Sequence, residues 1–300
     1  MQVTHRAAVH VIPGRLVAYL ELVKVRLTLL VVMTTAVGFV AASDRIDWGR
    51  FLLTLIGTAM TAAGSMAANQ AWERARDARM DRTRERPIPA GQISLARAVR
   101  TSAILIAVGL AGLALLVNPL TAALSLAVVG IYIFAYTPLK PLSPFCTLVG
   151  AICGAIPPMM GWTAATGSVA FGAWVLGAVL FVWQIPHFMA LAWLYRADYE
   201  RGGFRMLPVL DRSGDLTSQV ALVYIVALVP IGLAVSLAGM AGRVFLVGSF
   251  LLGIGMLAQG IRLRVRRTDA NARLLFIASL VYLTVFLILL VGNRGPIGLR

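Results

Sequence analysis

Asn69, Glu73, Asp77, Asp81 and Glu85 recur at every fourth position of one stretch, NQAWERARDARMDRTRERPIPAG, which runs from Asn69 to Gly91. On an α-helix such residues stand almost above one another, climbing about 6 Å per step and drifting about 40° around the axis, so they form one acidic ridge. Like charges four residues apart repel and cost a helix roughly a few tenths of a kcal/mol per pair, so the ridge calls for positive charge laid upon it. Arg74, Arg76, Arg79, Arg82, Arg84 and Arg86 interleave with the acids. Successive helical positions point in different directions, so only some of these arginines can reach back. A row of carboxylate and amide oxygens suits a hard divalent cation such as Mg²⁺, which takes one or two carboxylates, several waters and the phosphates of a substrate. The same pattern also fits a solvated helix end laced with arginine–carboxylate pairs.

A second polar cluster, YRADYERGGFRMLPVLDRSGD from Tyr195 to Asp215, sets Asp198 among Glu200, Arg201, Arg205 and Asp211, with Gly202 and Gly203 allowing a tight turn. Alone, Asp198 reads as a solvated loop carboxylate. Facing the ridge, it reads as the second half of a clamp that holds a diphosphate through bridging metal while Arg and Lys neutralise the remaining charge. A diphosphate held this way is a good leaving group. If its organic half is a long isoprenoid, its departure leaves an allylic cation that must be kept from water until it meets an electron-rich acceptor.

The elements that carry these groups are membrane spans. Hydrophobic residues make up 59% of the chain and charged residues 13%, with a mean hydropathy of +0.85, which excludes a soluble globular surface. Apolar runs of about 20 residues, the length that crosses a hydrocarbon core, fall near 16–42, 51–72, 96–117, 119–138, 145–166, 171–195, 216–239, 243–262 and 272–292. The expected fold is all-α: a polytopic bundle of about nine transmembrane helices, one domain over 1–300, with no soluble module or low-complexity linker. The ridge follows the second run and the Asp198 cluster the sixth. Runs one to four and five to eight thus each carry an acidic loop after their second helix, a weak hint of an internal repeat.

Arg6, Arg15, Lys140 and the arginines of 73–95, 196–215 and 263–271 fall in alternate loops. The positive-inside rule then places the N-terminus in the cytoplasm and, for an odd number of spans, the C-terminus outside. The net charge of +15 is spread over these loops, so anionic lipid and topology explain it without nucleic acid. The first run is long and lacks a small-residue cleavage site, which reads as an uncleaved span. Cys146 and Cys153, seven apart in an apolar run, read as buried free thiols. His187 lies within a span, where an ionisable group is either a satisfied bundle residue or part of a site. Pro186 before it would loosen the helix. Trp162, Trp183 and Trp193 either line an internal slot or sit at the interface. A transporter or channel would place ionisable residues mid-span, whereas Glu73, Asp77 and Asp198 gather at one face.

Asn69-x-x-x-Glu73-x-x-x-Asp77 resembles the N-x-x-x-D-x-x-x-D motif of the UbiA-type intramembrane prenyltransferases. DARMDRTRERPIPAG looks like the D-x-K-M-x-R-T-x-x-R-P-[LI] continuation of one branch, the protohaem IX farnesyltransferases or haem O synthases. YTPLKPLSPFCTLVGAICGAIPPMMGW, WQIPHFMALAWLYRADYERGGFRMLPV and LELVKVRLTLL resemble three further blocks of that branch, in order and with matching spacing from about Leu20 to Asp211. Glu73 stands where the motif has Asp, one methylene longer, and Ala75 and Pro141 stand where the branch often has Asp and Arg.

The resemblance implies a bundle of nine spans around a central cavity open to lipid, in a bacterial cytoplasmic (inner) membrane. It implies transfer of the farnesyl group of farnesyl diphosphate to a vinyl group of haem b, with water adding to give haem O. Asn69, Glu73 and Asp77 would hold Mg²⁺ and diphosphate from one side and Asp198 from the other. Arg82, Arg86, Lys140 and Arg205 would contact the diphosphate, and His187 either contacts the haem or makes a structural hydrogen bond. A haem A synthase is the implied partner. The neighbouring reading within the family is prenylation of an aromatic quinone precursor.

Overall fold

The computed structural model describes residues 14–295; Arg6, assigned above to the cytoplasmic N-terminal segment, lies outside them. Among the described residues nine helices are long and apolar enough to cross a membrane. They are α2 (Val25–Ala42), α3 (Trp48–Asp77), α4 (Leu95–Leu116), α5 (Pro119–Leu139), α6 (Cys146–Thr166), α7 (Phe171–Leu194), α10 (Asp215–Leu237), α11 (Arg243–Val265) and α12 (Asp269–Gly292). Three short helices complete the set: α1 (Arg15–Leu22), α8 (Arg196–Arg201) and α9 (Leu207–Leu210). Local chemistry starts several of them. Asp47, Ser94, Asn118 and Thr268 accept hydrogen bonds from backbone amides three residues on, capping α3, α4, α5 and α12.

The first apolar run is not one span. The helix stops at Leu22 and restarts at Val25, with Lys24 in the left-handed region at φ 47°. The Gln70 amide of α3 holds the break open, Nε2 donating to the carbonyls of Glu21 at 2.7 Å and Leu22 at 2.9 Å. A helix end whose carbonyls are taken by a side chain has no need to continue. α1 buries Ala18 and Leu22 against Ala67, Ala71, Ile88 and Ile93 and exposes Leu16, Val17 and Leu20, as expected of a helix lying at the lipid boundary.

α6 and α7 are the most enclosed spans, with 67% and 72% of their apolar windows buried. α2 packs on α3 and α6, and α3, α4 and α5 follow side by side. On the other flank α7 packs on α10 and α12, and α12 returns to α2, closing the bundle. The α2–α6 crossing depends on glycine: a Cβ on Gly161 would collide with the backbone of Thr35 and Phe39, and one on Gly38 with the backbone of Pro158. Lipid gives no hydrophobic drive between helices, so close approach and hydroxyl bonds such as Ser125 Oγ to Thr61 Oγ1, 3.0 Å, hold them together. α7 continues through Pro186, as bundled membrane helices allow.

Pairing sorts the loops by end. Lys24, the residues after α3, Lys140, 196–206 and the α10 and α12 starts share one end through the contacts Lys24–Asn69, Lys140–Glu73, Arg76–Gly202, Arg196–Asp269 and Arg264–Asp215. Arg294 reaches Val40 and Ser43 at the other. Cys146 and Cys153 are buried and free.

Candidate active site

The last turns of α3 present Asn69, Glu73 and Asp77 along one face, with 0%, 4% and 0% exposure. Each is met by a cation from a different element. Lys24 Nζ donates to Asn69 Oδ1 at 2.8 Å, Lys140 Nζ lies 2.8 Å from Glu73 Oε1, and Arg86 Nη1 donates to Asp77 Oδ2 at 2.7 Å. The ridge therefore carries its positive charge, but it is shorter than its spacing suggested. α3 ends at Asp77, whose carbonyl accepts from the Met80 amide and the Thr83 hydroxyl. Asp81 and Glu85 leave the ridge in the turns that follow, and Pro87 disfavours helix in the residue before it. Among the described residues, Arg86 alone of the six interleaved arginines reaches Asn69, Glu73 or Asp77. Arg76 donates to the carbonyls of Gly202 and Gly203, Arg82 lies over the Tyr195 ring, and Arg84 pairs with Asp81.

Lys140 owes its place to α5. The helix widens to a π-helical segment at Ile131–Tyr136, a form that recurs at functional sites. Thr137 Oγ1 then donates to Tyr132 O at 2.8 Å and accepts from Asn69 Nδ2 at 3.0 Å. Lys140 Nζ sits 4.5 Å from the Tyr136 ring centroid, and its carbonyl accepts from the Arg205 amide at 2.9 Å. The Arg205 side chain itself is exposed.

Asp198, in the first turn of α8, is 7% exposed. Its Oδ1 accepts from the Asp81 amide at 3.1 Å and its Oδ2 from the Arg82 amide at 3.4 Å, while Arg201 pairs with both Asp198 and Asp81. Burial works to raise this carboxyl, but the Arg201 guanidinium and the two amides outweigh it and hold it below the ordinary carboxylate value. The structure thus ties the two acidic clusters together through the turn after Asp77. It does not merge them: among the described residues no three His, Cys, Asp or Glu side chains converge on one point. Asp77 Oδ1 is buried with no hydrogen-bond partner. An orphaned oxygen beside other oxygen donors fits a hard cation whose remaining positions are filled by water and phosphate.

Two cavities share a lining residue at this end of the bundle. A slot of about 180 Å³ runs into the bundle between α2, α3, α5, α6 and α7, lined by Val31, Met66, Tyr132, Tyr136, Cys153 and Phe188 among others. A cleft of about 1250 Å³ opens between α1, α2 and the 82–92 segment, lined by Lys24, Arg26, Arg82, Arg84 and Arg86 among others. Leu27 lines both. His187 lines neither. Its ring stacks between Trp183 and Phe276 with Nδ1 2.8 Å from Ser279 Oγ, against α12. Trp162, Trp183 and Trp193 are also buried away from the slot; Trp183 and Trp193 donate to Ser279 O and Asp269 Oδ1.

Three contributors are absent from the sequence-derived set. Lys24 lies inside LELVKVRLTLL, and only the helix break that aims it at Asn69 reveals its part. Arg201 stands three positions after Asp198, the spacing of a helical ion pair. Thr137 meets Asn69 across 68 residues, and nothing local announces that contact.

The UbiA prenyltransferase family model matches residues 30–288. The chain is 41% identical over 286 residues to the Protoheme IX farnesyltransferase of Solibacter usitatus, covering 92% of this chain and 98% of that one. It is 41% identical to the mitochondrial Protoheme IX farnesyltransferase of Homo sapiens, covering 97% of this chain and 64% of the human one. Among solved structures, digeranylgeranylglyceryl phosphate synthase superposes with a TM-score of 0.79 at 18% identity, covering 93% of this chain and 98% of that one. A UbiA homologue of Archaeoglobus fulgidus bound to GPP and Mg²⁺ superposes with a TM-score of 0.63 at 17% identity, covering 92% and 99%. Spans, polar end and sequence agree: the chain belongs to the UbiA prenyltransferase family, in its protohaem IX farnesyltransferase branch.

Proposed function

We propose that this enzyme transfers the farnesyl group of farnesyl diphosphate to a vinyl group of haem b to give haem O. The observation that carries the reading is a buried ridge whose three polar residues are each matched by a cation, with an apolar slot lined by Met66 and Tyr136, about one helical turn from Asn69 and Lys140. Relatives about as similar as the one in Solibacter usitatus bear the corresponding name over nearly the whole chain.

Lys24, Lys140 and Arg86 offer the diphosphate three cations from separate elements, with Arg82 beside them and Arg205 at the rim. Asn69, Glu73 and Asp77 on one side and Asp198 on the other would hold Mg²⁺, which when bound neutralises the diphosphate and makes it a leaving group. The slot takes the isoprenoid and excludes water from the allylic cation. Tyr132 and Tyr136, 5.3 Å apart between ring centroids and both lining the slot, offer π faces to positive charge. The whole chain works as one membrane domain, with the basic end in the cytoplasm and residue 295 on the outer side of a bacterial cytoplasmic membrane. Its support is the gathering of cationic loops at the site-bearing end. The product passes to a haem A synthase.

Purified protein incubated with haem b, farnesyl diphosphate and Mg²⁺ is expected to yield a hydroxyethylfarnesyl haem by mass spectrometry, lost on adding EDTA. Prenylation of an added aromatic acid with no new haem would instead move the enzyme to the quinone-precursor branch.

A further inference from the structure

The diphosphate, met by Lys24, Arg82 and Arg86 of its lining, accounts for only part of the large cleft. At about 1250 Å³ it exceeds the roughly 300–1,000 Å³ of most small-molecule pockets. Its walls have two characters. α1 and the start of α2 contribute Val17, Leu20, Val25 and Leu27, all well exposed and apolar. The same lining carries Arg26 and Arg84, which take no part in matching the ridge. Arg26 makes no ion pair among the described residues, and Arg84 has only an exposed contact at 3.3 Å with Asp81. Five cations, Lys24, Arg26, Arg82, Arg84 and Arg86, line the cleft against two carboxylates, Glu21 and Glu85, and an apolar face edged by such a cationic excess suits a ligand with an apolar body and acidic substituents. Leu27 lines both this cleft and the slot that takes the isoprenoid.

We propose that this cleft is the acceptor site, and that Arg26 and Arg84 bind the two propionates of the porphyrin while the α1–α2 residues lie against its ring. The proposal rests on haem being the acceptor. The propionates are held at the polar rim, which turns the opposite, vinyl-bearing edge toward Leu27 and the slot. No histidine lines the cleft, so the acceptor is held by its edge and plane rather than through iron.

The test is equilibrium binding of haem b and of its dimethyl ester to the purified enzyme in neutral lipid nanodiscs, read from the Soret band, with KM for both substrates measured beside it. Wild type is expected to bind the free acid about tenfold or more tighter than the ester, the usual worth of charge-assisted hydrogen bonds. Arg26→Ala with Arg84→Ala should lose that preference and raise the haem KM by a similar factor. Its KM for farnesyl diphosphate should stay unchanged, which also reports an intact fold, and Arg26→Lys with Arg84→Lys should recover part of the preference. Equal binding of acid and ester by wild type, or a preference that survives in the double alanine variant, would overturn the assignment. Binding is read without turnover: tight, acid-selective binding with no haem product would leave the cleft a haem-binding site but sink the proposed reaction and, with it, the acceptor role.

Discussion

Glu73 and Lys140 form a pair 2.8 Å apart whose side chains are 5% and 13% exposed. Removing one partner of such a pair leaves an uncompensated buried charge and costs about 3–5 kcal/mol, whereas replacing both by apolar or neutral groups of similar volume is often nearly neutral. Lys140→Met is therefore expected to lower thermal stability sharply, and Glu73→Gln with Lys140→Met to recover most of it while staying inactive. Recovered activity in the double variant would show that the pair is only structural. Asp77 is paired with Arg86 through Oδ2, and its Oδ1 has no hydrogen-bond partner. Asp77→Ala and Asp198→Ala are each expected to cut turnover by about two to three orders of magnitude, the range for losing one preorganised electrostatic group. Helical circular dichroism should stay at the wild-type level. Turnover close to wild type in either variant would overturn the site assignment.

Two elements hold these residues in place: the break between α1 and α2, and the π-helical segment of α5. Gln70 makes the first possible by satisfying two carbonyls, and each such bond is worth about 1 kcal/mol. Gln70→Ala should release α1, seen as faster hydrogen exchange over residues 15–24, and should weaken farnesyl diphosphate binding through misplacement of Lys24. Unchanged exchange would mean that α1 is held by the packing of Ala18 and Leu22 alone. The α2–α6 crossing is less forgiving. Gly161→Ala would set a methyl group against the Thr35 carbonyl, and backbone cannot yield as a flexible side chain does. A loss of several kcal/mol is expected, read as poor yield of monodisperse protein in detergent; normal yield and melting temperature would show that α2 can shift.

At the scale of the whole molecule, the basic loops lie at the end that bears the site, and Arg294 lies at the other. Alkaline phosphatase fused after residue 295 is expected to be active and a fusion within 263–268 inactive; the reverse would invert the proposed topology. Nine spans, the one-sided gathering of cations and the family blocks were legible in the chain, because apolar length, charge placement and motif spacing are local properties that survive without coordinates. Asn69, Glu73 and Asp77 were legible as one helical face for the same reason. The end of that face at Asp77 was not, since the turn beyond it is held by Asp198 from more than a hundred residues away. His187 looked equally suited to a ligand and to a packing role, and its stack with Trp183 and Phe276 and its bond to Ser279 are contacts that only the packing of the spans brings together. Which cation meets which ridge residue, where the first span breaks, and that Leu27 lines both slot and cleft all depend on contacts between distant segments. Those contacts are fixed by how the spans pack, and sequence spacing carries no record of packing.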